Sequence, residues 1–149
     1  MAEASSGTLA DGRHIFPIRV YYEDTDAAGI VYYANYLKFA ERGRTELMRA
    51  LGAEHRALLA SDGVLWAVRR CVVDYLMPAR LDDRLDIVTS VADVGAARLD
   101  MLQVVRRGAA ELARLAVRLA CLDATGRPRR MPSAVRDALL PLLPPQARA

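Results

Sequence analysis

The chain has 149 residues, 53% of them apolar and 26% charged, with a net charge of +3 at neutral pH. This balance excludes disordered, collagen-like and fibrous classes, and the length suits one domain with a real core. The small positive surplus is spread along the chain without an RNP-like, zinc-finger or helix-turn-helix pattern, so no nucleic-acid partner is expected.

Residues 1–13 read as a frayed N-terminal tail, small and polar, without the basic start and apolar run of a signal peptide. A single domain is expected over 14–143, with a tail over 144–149 that opens on Pro144 and Pro145. Residues 15–22, rich in β-branched and aromatic side chains, predict a first strand, broken by a turn over 23–29. From 31 to 51 the apolar positions Tyr33, Tyr36, Leu37, Ala40, Leu47 and Leu51 follow helical spacing. Gly43 lies on that face, where a helix-interior glycine costs ~1 kcal/mol relative to alanine, so it is expected to admit a close approach to a sheet. Gly52 closes the helix, and a short helix or irregular turn follows over 54–60.

Strands dominate the remainder. Residues 65–76 form one, stopped by Met77 and Pro78, and residues 84–94 the next. Residues 97–107 and 111–123 read as a hairpin around Gly108, the second strand alternating Ala113, Leu115, Val117, Leu119 and Cys121 with Arg114, Ala116, Arg118 and Ala120. Ser133 is expected to cap a short helix running to about residue 143. One strand, a long helix and four strands make an α+β pattern with the helix on one sheet face. Cys71 and Cys121 stand far apart without a C-x-x-C and read as free buried thiols, as suits a reducing cytosol. No apolar run reaches the ~20 residues that a spanning helix needs, and the expected location is cytoplasmic.

The densest chemical information lies between Tyr21 and Tyr36, which reads Tyr-Tyr-Glu-Asp-Thr-Asp-Ala-Ala-Gly-Ile-Val-Tyr-Tyr-Ala-Asn-Tyr. An apolar strand runs into an acidic turn, passes a glycine and opens a helix, which sets Asp26 beside the unpaired N–H groups of a helix start. A carboxylate next to an oxyanion site is what acyl transfer requires. Asp24 reads instead as a residue that orders the turn by accepting backbone N–H bonds.

This stretch, with Glu41-Arg42-Gly43-Arg44-Thr45-Glu46 and Pro78-Ala79-Arg80-Leu81-Asp82-Asp83, resembles the hotdog-fold acyl-CoA thioesterases of the 4-hydroxybenzoyl-CoA thioesterase family. The nearest likeness is to the Tol-Pal-associated branch, and it covers most of residues 15–132. The resemblance implies a hotdog fold, an antiparallel sheet wrapped around a long central helix, in subunits that pair as a homodimer or homotetramer with active sites where two subunits meet. It implies hydrolysis of small to medium acyl-CoA, with acyl carrier protein as a second carrier and a role in lipid metabolism. Asp26 matches the position of the catalytic aspartate, as nucleophile or as general base towards water, and the backbone N–H of Tyr33 would bind the thioester oxygen. Close relatives of that branch often carry histidine where this chain has Tyr33. No cofactor is implied, because coenzyme A is part of the substrate, and no metal is expected. Arg98, Arg129 and Arg130 are candidates to hold the coenzyme A phosphates. Glu41, a rival carboxylate, is expected to pair with Arg44 or Arg42 instead. His14 and His55 read as surface or packing residues.

There is no G-x-S-x-G elbow, Walker motif, Rossmann fingerprint or H-E-x-x-H, which sets aside serine α/β-hydrolases, nucleotide hydrolases, dinucleotide enzymes and zinc proteases. Two alternatives stay open. One is a hotdog dehydratase, which would want a histidine with an acid. The other is a non-catalytic acyl-thioester binder or an interaction partner of lipid-synthesis or cell-envelope proteins.

Overall fold

The period-two pattern of the later strands sets the architecture. In β4 (Arg84–Val94), β5 (Arg98–Arg107) and β6 (Ala110–Asp123), the residues Leu85, Ile87 and Val91, then Leu99, Met101 and Val105, then Leu115 and Val117 are buried. Each set lines one face, so three neighbouring strands present an apolar surface interrupted by the buried pair Thr89 and Gln103. The computed structural model describes residues 5–147, and what was expected of residues 1–4 and 148–149 in the two tails lies outside the described residues.

The sheet is antiparallel, six-stranded, with β1 (Thr8–Ala10), β2 (Arg13–Arg19) and β3 (Val64–Tyr75) completing the order β1-β2-β4-β5-β6-β3. β1 falls inside the stretch expected to be a tail and pairs Thr8 with Ile15 and Ala10 with Arg13. β2 starts and ends earlier than the sequence suggested, because Tyr22–Asp24 turns into a 3-10 helix. Pro17 is tolerated because β1 reaches only as far as Ile15 and leaves that side of β2 unpaired.

α1 (Asn35–Ala50) packs on β2, β4 and β5 through Phe39, Ala40, Gly43 and Leu47. It is 16 residues long, shorter than the expected 31–51. Val31 is extended, bridged to Thr25 and donating its N–H to the Ala79 carbonyl at 2.9 Å, so the helix cannot start there. Gly43 does bring the helix close: a Cβ on it would sit 2.6 Å from Ile87 Cγ2. The helix ends with Gly52 N–H on the Arg49 carbonyl and Ala53 N–H on that of Met48, the paired bonds of a Schellman stop.

α2 (His55–Asp62) leads into β3, an edge strand that among the described residues bonds only β6. A bulge between Val68 and Arg70 leaves Arg69 without a partner, so the residues sharing the inner face change from Val64, Trp66 and Val68 to Cys71, Val73 and Tyr75. α3 (Ser133–Leu139) starts at Ser133 rather than being capped by it; Pro132 holds the cap position and no side chain bonds there. Cys71 and Cys121 are free, and burial raises both thiols. No helix among the described residues is long and apolar enough to cross a membrane.

Candidate active site

Between β2 and α1 the chain folds back on itself. Thr25 bridges Val31, the Asp26 N–H donates to the Ile30 carbonyl at 2.9 Å, and the Tyr32 N–H donates to the Asp24 carbonyl at 2.8 Å. Gly29 closes the tip at a φ of 79°, a conformation that a Cβ disfavours. The loop over 78–83 clamps this turn: Ile30 bridges Arg80, Val31 bonds Ala79, and the Ala79 N–H donates to the Tyr36 hydroxyl at 3.0 Å. The Pro78–Asp83 phrase noticed in the sequence thus buttresses the acidic turn.

The two aspartates of the turn differ sharply. Asp24 is buried; its Oδ2 accepts the Tyr21 N–H at 2.8 Å and its Oδ1 accepts from Asn35 Nδ2 at 2.9 Å. Both oxygens are committed, Oδ2 to the entry of the turn and Oδ1 to the first residue of α1. Asp26 is half-buried, and its Oδ1 accepts the Ala28 N–H at 2.8 Å. Its Oδ2 has no hydrogen-bond partner among the described residues. One carboxylate is structural, and the other keeps a lone oxygen for chemistry.

Tyr33 stands two residues before α1, not inside it. Its N–H donates to no acceptor among the described residues, while its carbonyl accepts the Tyr75 hydroxyl at 2.8 Å. Tyr75 therefore fixes the peptide that precedes the helix. The rings of Tyr32, Tyr33, Tyr36 and Tyr75 make a chain of edge-to-face contacts with centroids 4.9 to 6.3 Å apart. Burial raises the phenols of Tyr36 and Tyr75, which keeps the Tyr75 donor protonated.

Asn35 and Tyr75 were not singled out in the sequence. Asn35 lay in plain view at the end of the motif, whereas Tyr75 gives no local signal, being 42 positions from the carbonyl it serves.

The three candidate phosphate-binding arginines do not share one groove. Arg98 lies with Arg69, Arg70 and Arg118 in a groove of about 860 Å3, and it is paired with Asp93 and Asp100. Arg130 lines another with Arg136 and Ser133. Arg129 borders neither, and its backbone bonds Cys121. Among the described residues Arg69 and Arg70 have no carboxylate partner, and no motif in the sequence marks either. Glu41 forms no ion pair with Arg42 or Arg44 among the described residues. His14 is buried against the Ser6 carbonyl and His55 bonds Thr45, so each is engaged in packing. Among the described residues no cluster of side chains could hold a metal ion.

Residues 20–139 match the sequence pattern of the thioesterase-like superfamily. The chain is 41% identical over 115 residues to the acyl-CoA thioesterase YbgC of Haemophilus influenzae, covering 77% of this chain and 85% of that one. It is 40% identical over 122 residues to the acyl-CoA thioester hydrolase YbgC of Escherichia coli, covering 80% and 90%. The crystal structure of a probable thioesterase from Bartonella henselae superposes with a TM-score of 0.79 at 36% identity, covering 80% of this chain and 99% of that one.

Proposed function

The chain belongs to the thioesterase-like superfamily, and on that premise we propose that it hydrolyses acyl-CoA thioesters of small to medium chain length, with Asp26 as the catalytic carboxylate and the Tyr33 N–H as oxyanion donor. The observation that carries the reading is a carboxylate oxygen of Asp26 and a backbone N–H of Tyr33, both without hydrogen-bond partners among the described residues, on one folded segment that hydrogen bonds tie to its neighbours. α1, packed on β2, β4 and β5, serves as the central helix of a hotdog fold.

The Tyr33 N–H takes the negative charge that grows on the thioester oxygen, an interaction worth ~3 kcal/mol per donor in other enzymes. Asp26 either removes a proton from the attacking water or attacks the carbonyl carbon itself, giving an anhydride that water then opens. In both routes the C–S bond breaks, coenzyme A leaves as thiolate and takes up a proton, and the acid is released. Water is the only co-reactant, so no cofactor is needed. Acyl carrier protein presents the same thioester and is included as a carrier. Of the arginines proposed for the coenzyme A phosphates, Arg98 has Arg69 and Arg70 beside it, while Arg129 and Arg130 lie outside that groove and would meet a different part of the nucleotide.

The test is release of free thiol from a panel of acyl-CoA and acyl-carrier-protein thioesters by the wild type and Asp26→Asn. The variant keeps the size of the side chain and loses the basic oxygen, so kcat/KM should fall at least ~10²-fold with the melting temperature unchanged. Near wild-type turnover would remove Asp26 from the chemistry.

A homodimer or dimer-based tetramer belongs to the same proposal. β3 offers an unpaired edge, with Val68, Val72, Tyr75, Leu76 and Met77 exposed along it and just beyond, and such an edge calls for a cover. Light scattering that finds an active monomer at micromolar concentration would overturn it.

A further inference from the structure

Between α1, α2 and the first half of β3 lies a cavity of about 530 Å3. Met48, Leu58, Trp66 and Met101 give it apolar walls, and Arg44 stands among them. Arg44 is only 9% exposed, yet it forms no ion pair with a carboxylate among the described residues. Glu41 acts on it through space without bonding it. A guanidinium stays charged at every physiological pH, so a buried one without a counter-ion needs a reason.

The reason lies in how it is held. Arg44 Nη1 donates to Gln103 Oε1 at 3.0 Å, and Gln103 Nε2 donates to the Ala40 carbonyl and to Thr89 Oγ1, each at 2.9 Å. Gln103 and Thr89 stand opposite each other in register, on a sheet face otherwise made of Leu85, Ile87, Val91, Leu99, Met101 and Val105. A core that needed only volume there would be served by apolar side chains. The network instead fixes one edge of a guanidinium. Its Nε and Nη2 bond nothing in the described chain and are not sealed from solvent.

The position matters too. Gln103 links the guanidinium to the carbonyl of Ala40, a residue about 8 Å along the helix from Asn35 at 1.5 Å per residue. Glu41, Thr45 and Met48 carry the cavity wall on from there at helical spacing. An acyl chain whose thioester oxygen is held at the Tyr33 N–H would run down this side of α1. Opposite, burial, with Arg49 next in effect, lowers His55 below its ordinary range and keeps it neutral beside Thr45.

We propose that this cavity receives the acyl chain and that Arg44 selects acyl groups carrying an oxygen function towards their far end. The inference rests on the thioesterase reading of the Asp26–Tyr33 segment. A site built to bond a substrate oxygen rejects the analogue that lacks it, because an acyl chain filling the cavity takes water from the donors and leaves them unpaired.

The test compares kcat/KM for ω-hydroxyoctanoyl-CoA and octanoyl-CoA in the wild type, Arg44→Met and Arg44→Lys. The wild type should favour the hydroxylated substrate by at least ~10-fold. Arg44→Met should bring the ratio to one or below, and Arg44→Lys, which keeps a charge but loses the planar fork, should fall between. Equal values in the wild type would overturn the assignment of Arg44 while leaving the hydrolase intact. If neither substrate is turned over, the thiol-release panel judges the hydrolase reading and calorimetry with the free acids judges the cavity. Tighter binding of ω-hydroxyoctanoate than octanoate, lost in Arg44→Met, supports the site, and equal binding overturns it. Should Arg44→Met not fold, Arg44→Lys decides, an unchanged ratio overturning the proposal and a reduced one supporting it.

Discussion

At its start α1 is anchored by side-chain bonds between residues close in sequence, 11 positions apart for Asp24 and Asn35 and 3 for Tyr21 and Asp24. In its middle the same helix is held by bonds spanning 59 and 63 positions, Arg44 to Gln103 and Gln103 to Ala40. The first region uses backbone donors and a short acidic turn to leave one carboxylate oxygen and one N–H free. The second uses buried side chains from the sheet to leave part of a guanidinium free. The ties of Asp24 are thus local, with Ala79 and Tyr75 buttressing them from afar, whereas the guanidinium of Arg44 is held, among the described residues, by distant chain alone.

The contrast between the two regions can be broken from either side. The largest effect should come from the turn. Asp26→Asn should cost rate and not stability. Asp24→Asn should do the reverse, because it turns one of two committed acceptor oxygens into a donor facing another donor. A buried mismatch of that kind costs ~1–3 kcal/mol. Urea titration and thiol release on the two variants check it, and a matching loss of rate in both would erase the distinction.

In the middle of the helix, Gly43→Val should destabilise by ~1–3 kcal/mol. Its Cβ would meet Ile87 Cγ2 at 2.6 Å, and Gln103 Nε2 and Thr89 Oγ1 at 3.2 Å. A shift in the urea midpoint with unchanged slope is the expected signature. A neutral result would mean that the helix can lift from the sheet without loss.

The smallest effect concerns the loop that clamps the turn. Burial pushes the Asp83 carboxyl up, but the Arg80 N–H and the Arg107 guanidinium, which it accepts at 2.8 and 2.7 Å, more than offset this and hold it below the usual range. The folded carboxyl therefore ionises at lower pH than the unfolded one. The stability this gives is whole above the unfolded pKa of about 3.9 and fades as the pH falls through the folded value. Arg107→Gln should remove ~0.5 kcal/mol at pH 7, a modest figure because the pair is partly exposed. The gap from wild type should close in acid, and a gap independent of pH would show that Arg107 acts through packing.

The same division explains what was legible in the sequence. The alternation in residues 111–123 and the limits of β4 follow from side-chain periodicity, which is local. The different duties of Asp24 and Asp26 were suggested by the motif, and the hydrogen bonds of Asp24 agree with its expected structural part. The helix start was misplaced because Tyr33 and Tyr36 keep helical spacing while Val31 is pulled into extended form by Ala79, 48 positions on. β1 was missed because three exposed residues carry no pattern of their own and owe their form to β2. Arg44, with Arg42 as the alternative, was expected to pair with Glu41, its neighbour on the helix, and forms no such pair among the described residues. Its burial depends on Gln103, which no spacing rule connects to it.

The bulge at Arg69 makes the number of residues in the edge strand a matter of phase. Tyr75 reaches the Tyr33 carbonyl only because one residue in the strand goes uncounted in the pairing with β6. Inserting or deleting a single residue between 70 and 75, with the register to β6 kept before that point, would turn the tyrosine to the opposite surface of the sheet and release the peptide ahead of α1. Length change in this stretch is therefore tolerable only in pairs, a constraint that acts on the gene's reading of the strand and not on the identity of any one side chain.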